Sequence, residues 1–409
     1  MKIATTRVPI TIPGFQFAGV HCGLKSRGKR DVALIVSDVP AVAVGAFTTN
    51  RVKAAPVCIT AERIRGGRAQ AILVNSGNAN AYTGRNGEAV ARECCRIVAR
   101  ELKIPERLVL PSSTGRIGVQ LPRSLVRRGV LAASRRLSPS SFHNALDGIM
   151  TTDAFPKFAV EHLIIGEREV TVAGMAKGAG MIAPRMIVAG PHATALCYIL
   201  TDAAVSLAAL RRAMQISLPQ SFNAIVVDGD TSTNDTVLLL ANAVAGNRPL
   251  TPQAADFAAF SGAVARVMWQ LARYIVKDGE GATKLIDITV RGARALRDAE
   301  RVADTVARSP LCKTAFYGGD PYAGRIVCAA GYSGAVFDPA RLDVYLDDIC
   351  VVRRGREVIT KAVERRAGAV VAQSEFSLTL DLHAGDRVAH RMTSDLSVDY
   401  VRFNSDYRT

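Results

Sequence analysis

The sequence predicts an α/β fold. Short apolar runs alternate with turns through residues 1–60, a buried run gives way to helical periodicity across 69–103, and strand-like and helix-like segments keep alternating from 203 to 308. At 409 residues, with 49% hydrophobic and 22% charged side chains, the chain has room for two or three domains with large cores.

The opening segments FQFAGVHCG, DVALIVSD, AVAVGAFTTN and APVCIT read as strands of one sheet. AQAILVNSGNANAYTG (69–84) then passes from a buried strand into a loop of Asn75, Ser76, Gly77, Asn78, Ala79 and Asn80. Small polar residues past a strand end suit a binding loop. They equally suit a turn held by its own side chains, and the sequence leaves both open. GEAVARECCRIVARELK (87–103) has helical periodicity. RLVLPSSTGRIGVQ (107–120) repeats the arrangement, a short strand and then a turn at 111–115, where successive backbone amides can converge on an anion or a developing oxyanion. The arginine-rich stretch 121–136 reads as helical, 149–157 ends in a threonine pair and an aspartate, and FAVEHLIIGEREVTVAGMA reads as a hairpin.

Residues 171–205 organise the rest. Pro191, His192, Ala193 and Thr194 form a small-residue step before a strand-like run at 195–200. A threonine on such a step, with a rigid backbone behind it, suits a nucleophile, although a glycine-rich loop entering a core strand has the same composition. An amphipathic helix follows at 203–218. The polar cluster DTSTNDT (230–236) lacks the alternating ligands and terminal glutamate of a calcium loop and reads as structural. A candidate internal boundary lies at 243–253, before a long helix at 254–276. Glu280 then sits between two glycines, whose backbone can approach a ligand closely. KLIDITVRG reads as a strand, LRDAERVADTVARS as a helix, CKTAFYGGDPYAGRIVCAAGYSG as a helix with a glycine-rich loop, and 351–366 as helical. The tail carries Asn404 and ends at Thr409, whose carboxylate becomes usable if the tail packs inward.

Composition excludes several classes. The chain carries 52 basic against 36 acidic residues, a net charge of +16, but the arginines are dispersed with few aromatics between them. That is a solvated basic surface rather than a nucleic-acid site. No apolar run approaches bilayer length and no signal peptide opens the chain, so no membrane is expected and a cytoplasmic address follows. Eight scattered cysteines without a C-x-x-C pair argue against a zinc ribbon or a disulfide framework, and most read as small buried hydrophobes. The six histidines lack metal-ligand spacing; His192 alone sits near the proposed chemistry, and a structural role suits it better. The serine-hydrolase elbow, the phosphate-binding loop and the zinc-peptidase motif are all missing.

In their order, GVHCGLK, AFTTNRVKAAPV, ILVNSGNANAYTG, SSTGRIG, IMTTDAFPK, MAKGAGMIAP, DGDTSTNDT, IVKDGEGATK, KTAFYGGD, GYSG and YVRFNSDYRT resemble the ornithine acetyltransferase family, also called glutamate N-acetyltransferase or ArgJ. The resemblance implies a layered α/β sandwich. It also implies a precursor that cuts itself between an alanine and a threonine, here Ala193 and Thr194, into an α chain of residues 1–193 and a β chain of 194–409. Two of each chain would make a heterotetramer.

By the same resemblance, Thr194 carries an acetyl group from N-acetylornithine to glutamate through an ester, with Thr114 and Gly115 as the oxyanion pair. Thr152, Lys177, Thr194, Glu280, Asn404 and Thr409 match the substrate-binding set. Such a mechanism implies no metal or organic cofactor. Acetyl-CoA as a second donor stays open, because no coenzyme A motif exists to inspect. The chain departs from the family in about seven extra residues before Thr194, in Tyr322 and Ala323 before Gly324, and in the tail before Asp395. A related self-processing N-acyl amino acid transferase or amidohydrolase with another substrate is the alternative reading.

Overall fold

The computed structural model describes residues 8–26, 28–184, 187–188, 195–358 and 360–406. They divide into two compact units: a larger one from residues up to 223 together with 230–275, and a smaller one from 224–229 and 276 onward. Each has its own sheet.

The strands of the first half are β1 (Phe15–Val20), β2 (Val32–Phe47), β3 (Arg68–Asn78), β4 (Val109–Arg116), β5 (Lys157–Ile165), β6 (Arg168–Lys177), β7 (Ile187–Val188), β8 (Leu196–Thr201), β9 (Ile225–Val226) and β10 (Thr236–Ala241). Between them run α1 (Ala55–Arg63), α2 (Gly84–Leu102), α3 (Arg123–Ser134), α4 (Phe142–Ile149) and α5 (Leu207–Ser217). All of these strands but β9 form the larger unit's sheet, in the order β4-β3-β2-β10-β8-β6-β5, with β1 and β7 also paired to β2. The pairs β3/β4 and β8/β10 are parallel, while β2 meets β3 and β10 antiparallel.

Side chains that alternate along β2 enter two different cores. Ala33 and Ile35 join Val57 of α1 and Phe142, Ala145 and Leu146 of α4, whereas Val32, Leu34 and Val36 join Val90 and Val98 of α2 and Val126 and Val130 of α3. The sheet is therefore buried on both faces, which explains why its strands read as unbroken apolar runs. Close approach of α4 to β1 depends on Gly19, because a Cβ there would lie 1.7 Å from the Asn144 carbonyl oxygen.

Several elements differ from the sequence expectation. DVALIVSD and AVAVGAFTTN are one strand, β2, whose register against β3 shifts between Val36 and Ala41. Pro40, exposed within that break, has no N–H to give a ladder. APVCIT opens α1 instead of a strand: Pro56 falls in the first turn, where its missing N–H costs nothing, and the helix buries Pro56, Val57, Ile59 and Thr60. The expected turn at 111–115 is strand, since β4 runs through it in parallel pairing with β3. Four of the eight cysteines, Cys94, Cys95, Cys197 and Cys312, are buried, fewer than composition suggested.

A long helix, α6 (Phe257–Lys277), precedes the smaller unit's remaining elements. These are β11 (Leu285–Ala293), α7 (Leu296–Arg308), α8 (Pro310–Gly318), α9 (Gly324–Gly331), β12 (Asp343–Leu346), β13 (Ile349–Arg353), β14 (Arg356–Glu357), α10 (Lys361–Val371), β15 (Glu375–Asp381), β16 (Arg387–Ser394) and α11 (Val398–Asp406). Its sheet runs β14-β13-β12-β15-β11-β16-β9. α7 buries Ala299, Val302, Ala303, Val306 and Ala307 as it packs on β11 and β16. Where the sequence suggested a glycine-rich loop, α9 buries Ile326, Ala329 and Ala330; where it suggested helix from 351, the chain first makes the β13/β14 hairpin. The stretch 243–253 lies inside the larger unit, where the Asn247 side chain accepts the Ala204 amide at 2.8 Å and donates to its carbonyl at 3.2 Å. No helix among the described residues is long and apolar enough to cross a membrane.

Candidate active site

The larger unit's central strands converge on the start of β8. Leu196 is paired on one side with Lys177, the last residue of β6, and on the other with Thr236, the first of β10. The Thr236 amide donates to the Ala195 carbonyl at 2.7 Å. Thr194 and Ala193, the expected nucleophile and its neighbour, lie outside the described residues, as do His192 and Thr409. What the structure supplies is the frame entered at Ala195.

Two of the expected site residues meet on that frame: Lys177 Nζ donates to Thr114 Oγ1 at 3.2 Å. Thr114 is buried near the end of β4, where the parallel register pairs Ser76 with Thr114 and Gly77 with Gly115. Gly115 has φ +127°, and a Cβ on it would lie 2.4 Å from the Gly77 carbonyl carbon. Only glycine fits there without moving β3. The two strand ends are thus pressed together backbone to backbone beside Thr114.

The asparagines of the 75–80 loop are turn builders. Asn75 Nδ2 donates to the Asn78 carbonyl at 2.8 Å and Asn75 Oδ1 accepts Ser113 Oγ at 2.5 Å. Asn78 Oδ1 accepts the Asn80 amide at 2.8 Å. Asn234, from the polar cluster before β10, braces both strand ends by donating to the carbonyls of Ala79 at 2.5 Å and Ser113 at 2.8 Å. The structural reading of that cluster holds for this member.

Thr152 is half-buried and adjoins an ion pair that sequence reading missed. Asp153 Oδ1 accepts Lys157 Nζ at 2.6 Å with both side chains buried, and also accepts the Gly178 amide at 2.8 Å; Oδ2 accepts the Thr151 amide at 2.8 Å. The carboxylate so ties the threonine pair to the residue after Lys177. Burial alone would raise the Asp153 carboxyl, but the Lys157 and Lys177 ammoniums and the Thr151 amide outweigh it and hold it well below the usual carboxylate range.

Lys25 is a second residue that the sequence reading did not single out. The Asp31 carboxylate accepts the amides of Cys22, Gly23, Leu24 and Lys25 at 2.7 to 3.1 Å, which fixes the preceding loop. The Lys25 stem lies across Gly77, with Cγ 3.0 Å from where a Cβ would stand, and Nζ donates to the Met150 carbonyl at 2.7 Å. Burial lowers its ammonium to about 8 against the pull of Asp31 and Asp153. The signal available in the sequence was a lysine next to a Cys-Gly turn, which is too common to choose.

In the smaller unit, Asn404 on α11 donates to Glu280 Oε2 at 3.2 Å. Glu280 is half-buried and Asn404 exposed. The loop beneath them is held by Ser397 Oγ, which donates to the Gly281 carbonyl at 2.6 Å, and by Asp395, which accepts Thr283 Oγ1 at 2.5 Å and the Thr283 amide at 2.8 Å.

A model of the ArgJ family matches residues 16–409. The arginine biosynthesis bifunctional protein ArgJ of Symbiobacterium thermophilum is 48% identical, over 98% of this chain and 98% of its own length. Its namesake from Geobacter sulfurreducens is 46% identical over 98% and 100%. Among solved structures, the arginine biosynthesis bifunctional protein ArgJ of Bacillus halodurans is 37% identical, covering 51% of this chain and 98% of that one, with a TM-score of 0.49.

Proposed function

This chain belongs to the ArgJ family, and on that premise we propose that it is an acetyltransferase of arginine biosynthesis that moves an acetyl group from N-acetylornithine to glutamate. The observation that carries the reading is the contact of Lys177 with Thr114 at the frame that receives the chain just after Thr194. It brings a cation, a hydroxyl and a glycine backbone together, and such a grouping supports a role in binding an amino-acid carboxylate and a developing oxyanion.

In the proposed sequence of steps, Thr194 Oγ attacks the Ala193 carbonyl of the precursor. The resulting ester hydrolyses, leaving chains 1–193 and 194–409 and a free amine on Thr194. An α-amine has a pKa of about 8, so it serves as base for its own hydroxyl and no histidine is needed. Thr194 Oγ then attacks the acetyl carbonyl of N-acetylornithine, with Thr114 and Gly115 donating to the oxyanion. Ornithine leaves, and the amine of glutamate takes the acetyl group from the threonine ester. Lys177 pairs with the α-carboxylate that both substrates share, which lets one clamp serve both half-reactions. Thr152, Glu280, Asn404 and Thr409 complete the binding set, the acidic groups suiting the ornithine ammonium. The paired chains assemble as two α and two β. The relatives' description as bifunctional supports a second use of the same threonine, acetylation of glutamate from acetyl-CoA.

Intact mass beside product analysis tests this. The purified protein is expected as two fragments that sum to 43.6 kDa plus one water, the second beginning at Thr194, and Thr194→Ala is expected uncut. Ornithine release and acetylglutamate formation should accompany the cut form alone. Cut protein that transfers no acetyl group to glutamate would point to a different acyl substrate.

A further inference from the structure

Lys25 has no part in the steps above, yet two groups of residues that the steps use meet on its side chain. The first is the end of β4. Gly115 is pressed onto Gly77, and Gly77 is in turn met by the Leu24 carbonyl oxygen and the Lys25 Cγ, each 3.0 Å from where a Cβ on Gly77 would stand. The second is the loop that carries Thr152. Lys25 Nζ donates at 2.7 Å to the carbonyl of Met150, the residue after α4. Asp153 holds the far end of that loop by accepting the amides of Thr151 and Gly178, both at 2.8 Å.

Gly178 follows Lys177, and Lys177 Nζ donates to Thr114 Oγ1 at 3.2 Å. The contacts therefore close a circuit, from Lys25 through Gly77 to Gly115 and Thr114, on through Lys177 to Asp153, and back by Met150 to Lys25. The segment that presents Lys25 is fixed as well, because the buried Asp31 carboxylate accepts four successive amides, from Cys22 to Lys25. A side chain mounted so firmly transmits position to what it touches.

Covering Gly77 does not by itself call for a cation. Burial opposes the charge on Lys25, and Lys29 and Lys177 oppose it too, against the pull of Asp31 and Asp153. An apolar stem of the same length would cover Gly77 without that cost, but it could not donate to Met150. The charged end is explained by what it holds.

We propose that Lys25 is a positioning residue of acetyl transfer: its stem backs the oxyanion pair Thr114 and Gly115 through Gly77, and its ammonium fixes the Thr152 loop at Met150. The inference rests on the acetyltransferase reading above. The two halves of the side chain then act on different constants, the ammonium on substrate binding and the stem on the transition state.

Steady-state kinetics of transfer from N-acetylornithine to glutamate test this, with rates expressed per cut chain as counted by intact mass and each variant assayed below its Tm. Lys25→Met keeps a stem and removes the donor, so KM for both substrates is expected to rise by about 10-fold while kcat stays within about threefold of wild type. Lys25→Ala removes the stem as well, and its kcat is expected to fall by about 100-fold, the cost of a misplacement of about 1 Å. Wild-type kcat and KM in both variants, with only Tm lowered, overturn the inference while leaving acetyl transfer intact. A loss of kcat in Lys25→Met as large as in Lys25→Ala overturns it too, because the stem would then hold nothing in place. If Lys25→Ala does not fold, the KM of Lys25→Met decides; if neither folds, the lysine serves stability and the inference falls. A cut wild type that moves no acetyl group to glutamate overturns both readings at once.

Discussion

Gly115 concentrates the demands on a single position. Its φ of +127° disfavours any side chain, and the 2.4 Å approach to the Gly77 carbonyl carbon leaves no volume for one. A methyl group there must push β4 away from β3 and carry the Thr114 hydroxyl off Lys177. Gly115→Ala is therefore expected to lower kcat for acetyl transfer by roughly 100- to 1,000-fold, as for a lost oxyanion donor, with a measurable fall in Tm. Wild-type turnover in that variant would remove Gly115 from the oxyanion pair. At this scale the sequence was partly legible. Thr114, Gly115 and Lys177 stand in motifs whose order is specific, and Lys177 and Thr114 do meet. Lys25 and Asp153 were not singled out, because what defines them is contact across distances that no local pattern encodes: Lys25 reaches Met150, and Asp153 the amide of Gly178.

At the scale of elements, the site depends on strand ends that are tied rather than merely adjacent. Asn234 gives both hydrogens of its amide to carbonyls of two other segments, Ala79 and Ser113, and it is itself buried. Removing it leaves two buried acceptors unpaired, at about 1 to 3 kcal/mol each. Asn234→Ala is expected to lower unfolding free energy by roughly 2 to 5 kcal/mol in urea titrations, and Asn234→Asp to do nearly as much, since a carboxylate cannot donate. A loss under 1 kcal/mol would mean that the brace is redundant. Element type was legible where length and period agreed, as in α2, α6 and the β5/β6 hairpin. It failed at α1, where a β-branched run disguised a helix whose proline sits harmlessly in the first turn, and at the end of β4, where turn-forming residues are held extended by parallel pairing with β3.

A buried cation in one unit and a buried carboxylate in the other give the molecule opposite responses to pH. Lys313, in the smaller unit, is buried with Nζ donating to Thr393 Oγ1 at 2.9 Å and to the Ser394 carbonyl. Burial lowers its ammonium from 10.5 to about 7, against the opposing pull of Asp395 and Asp228. Between those values the unfolded chain binds the proton and the folded chain does not, so stability rises with pH across that window. Below about 7 the full penalty is present; by 10.5 it is gone. Asp153, in the larger unit, has the opposite sign. Its carboxyl is held below its ordinary value of 3.8, so its contribution is present above that value and lost as pH falls through the folded titration. Removing Lys313 as Lys313→Met should therefore change stability unevenly: relative to wild type, the variant is expected to lose roughly 3 to 5 kcal/mol between pH 6.5 and 10.5, while Asp153→Asn should differ from wild type least at the acid end. Urea midpoints followed by far-UV circular dichroism give the first comparison. The chain's single tryptophan, Trp269 on α6, reports the larger unit and gives the second. A Lys313→Met difference that stays constant across the window would mean that this lysine remains charged when folded, held by Asp395 and Asp228 more strongly than burial opposes it.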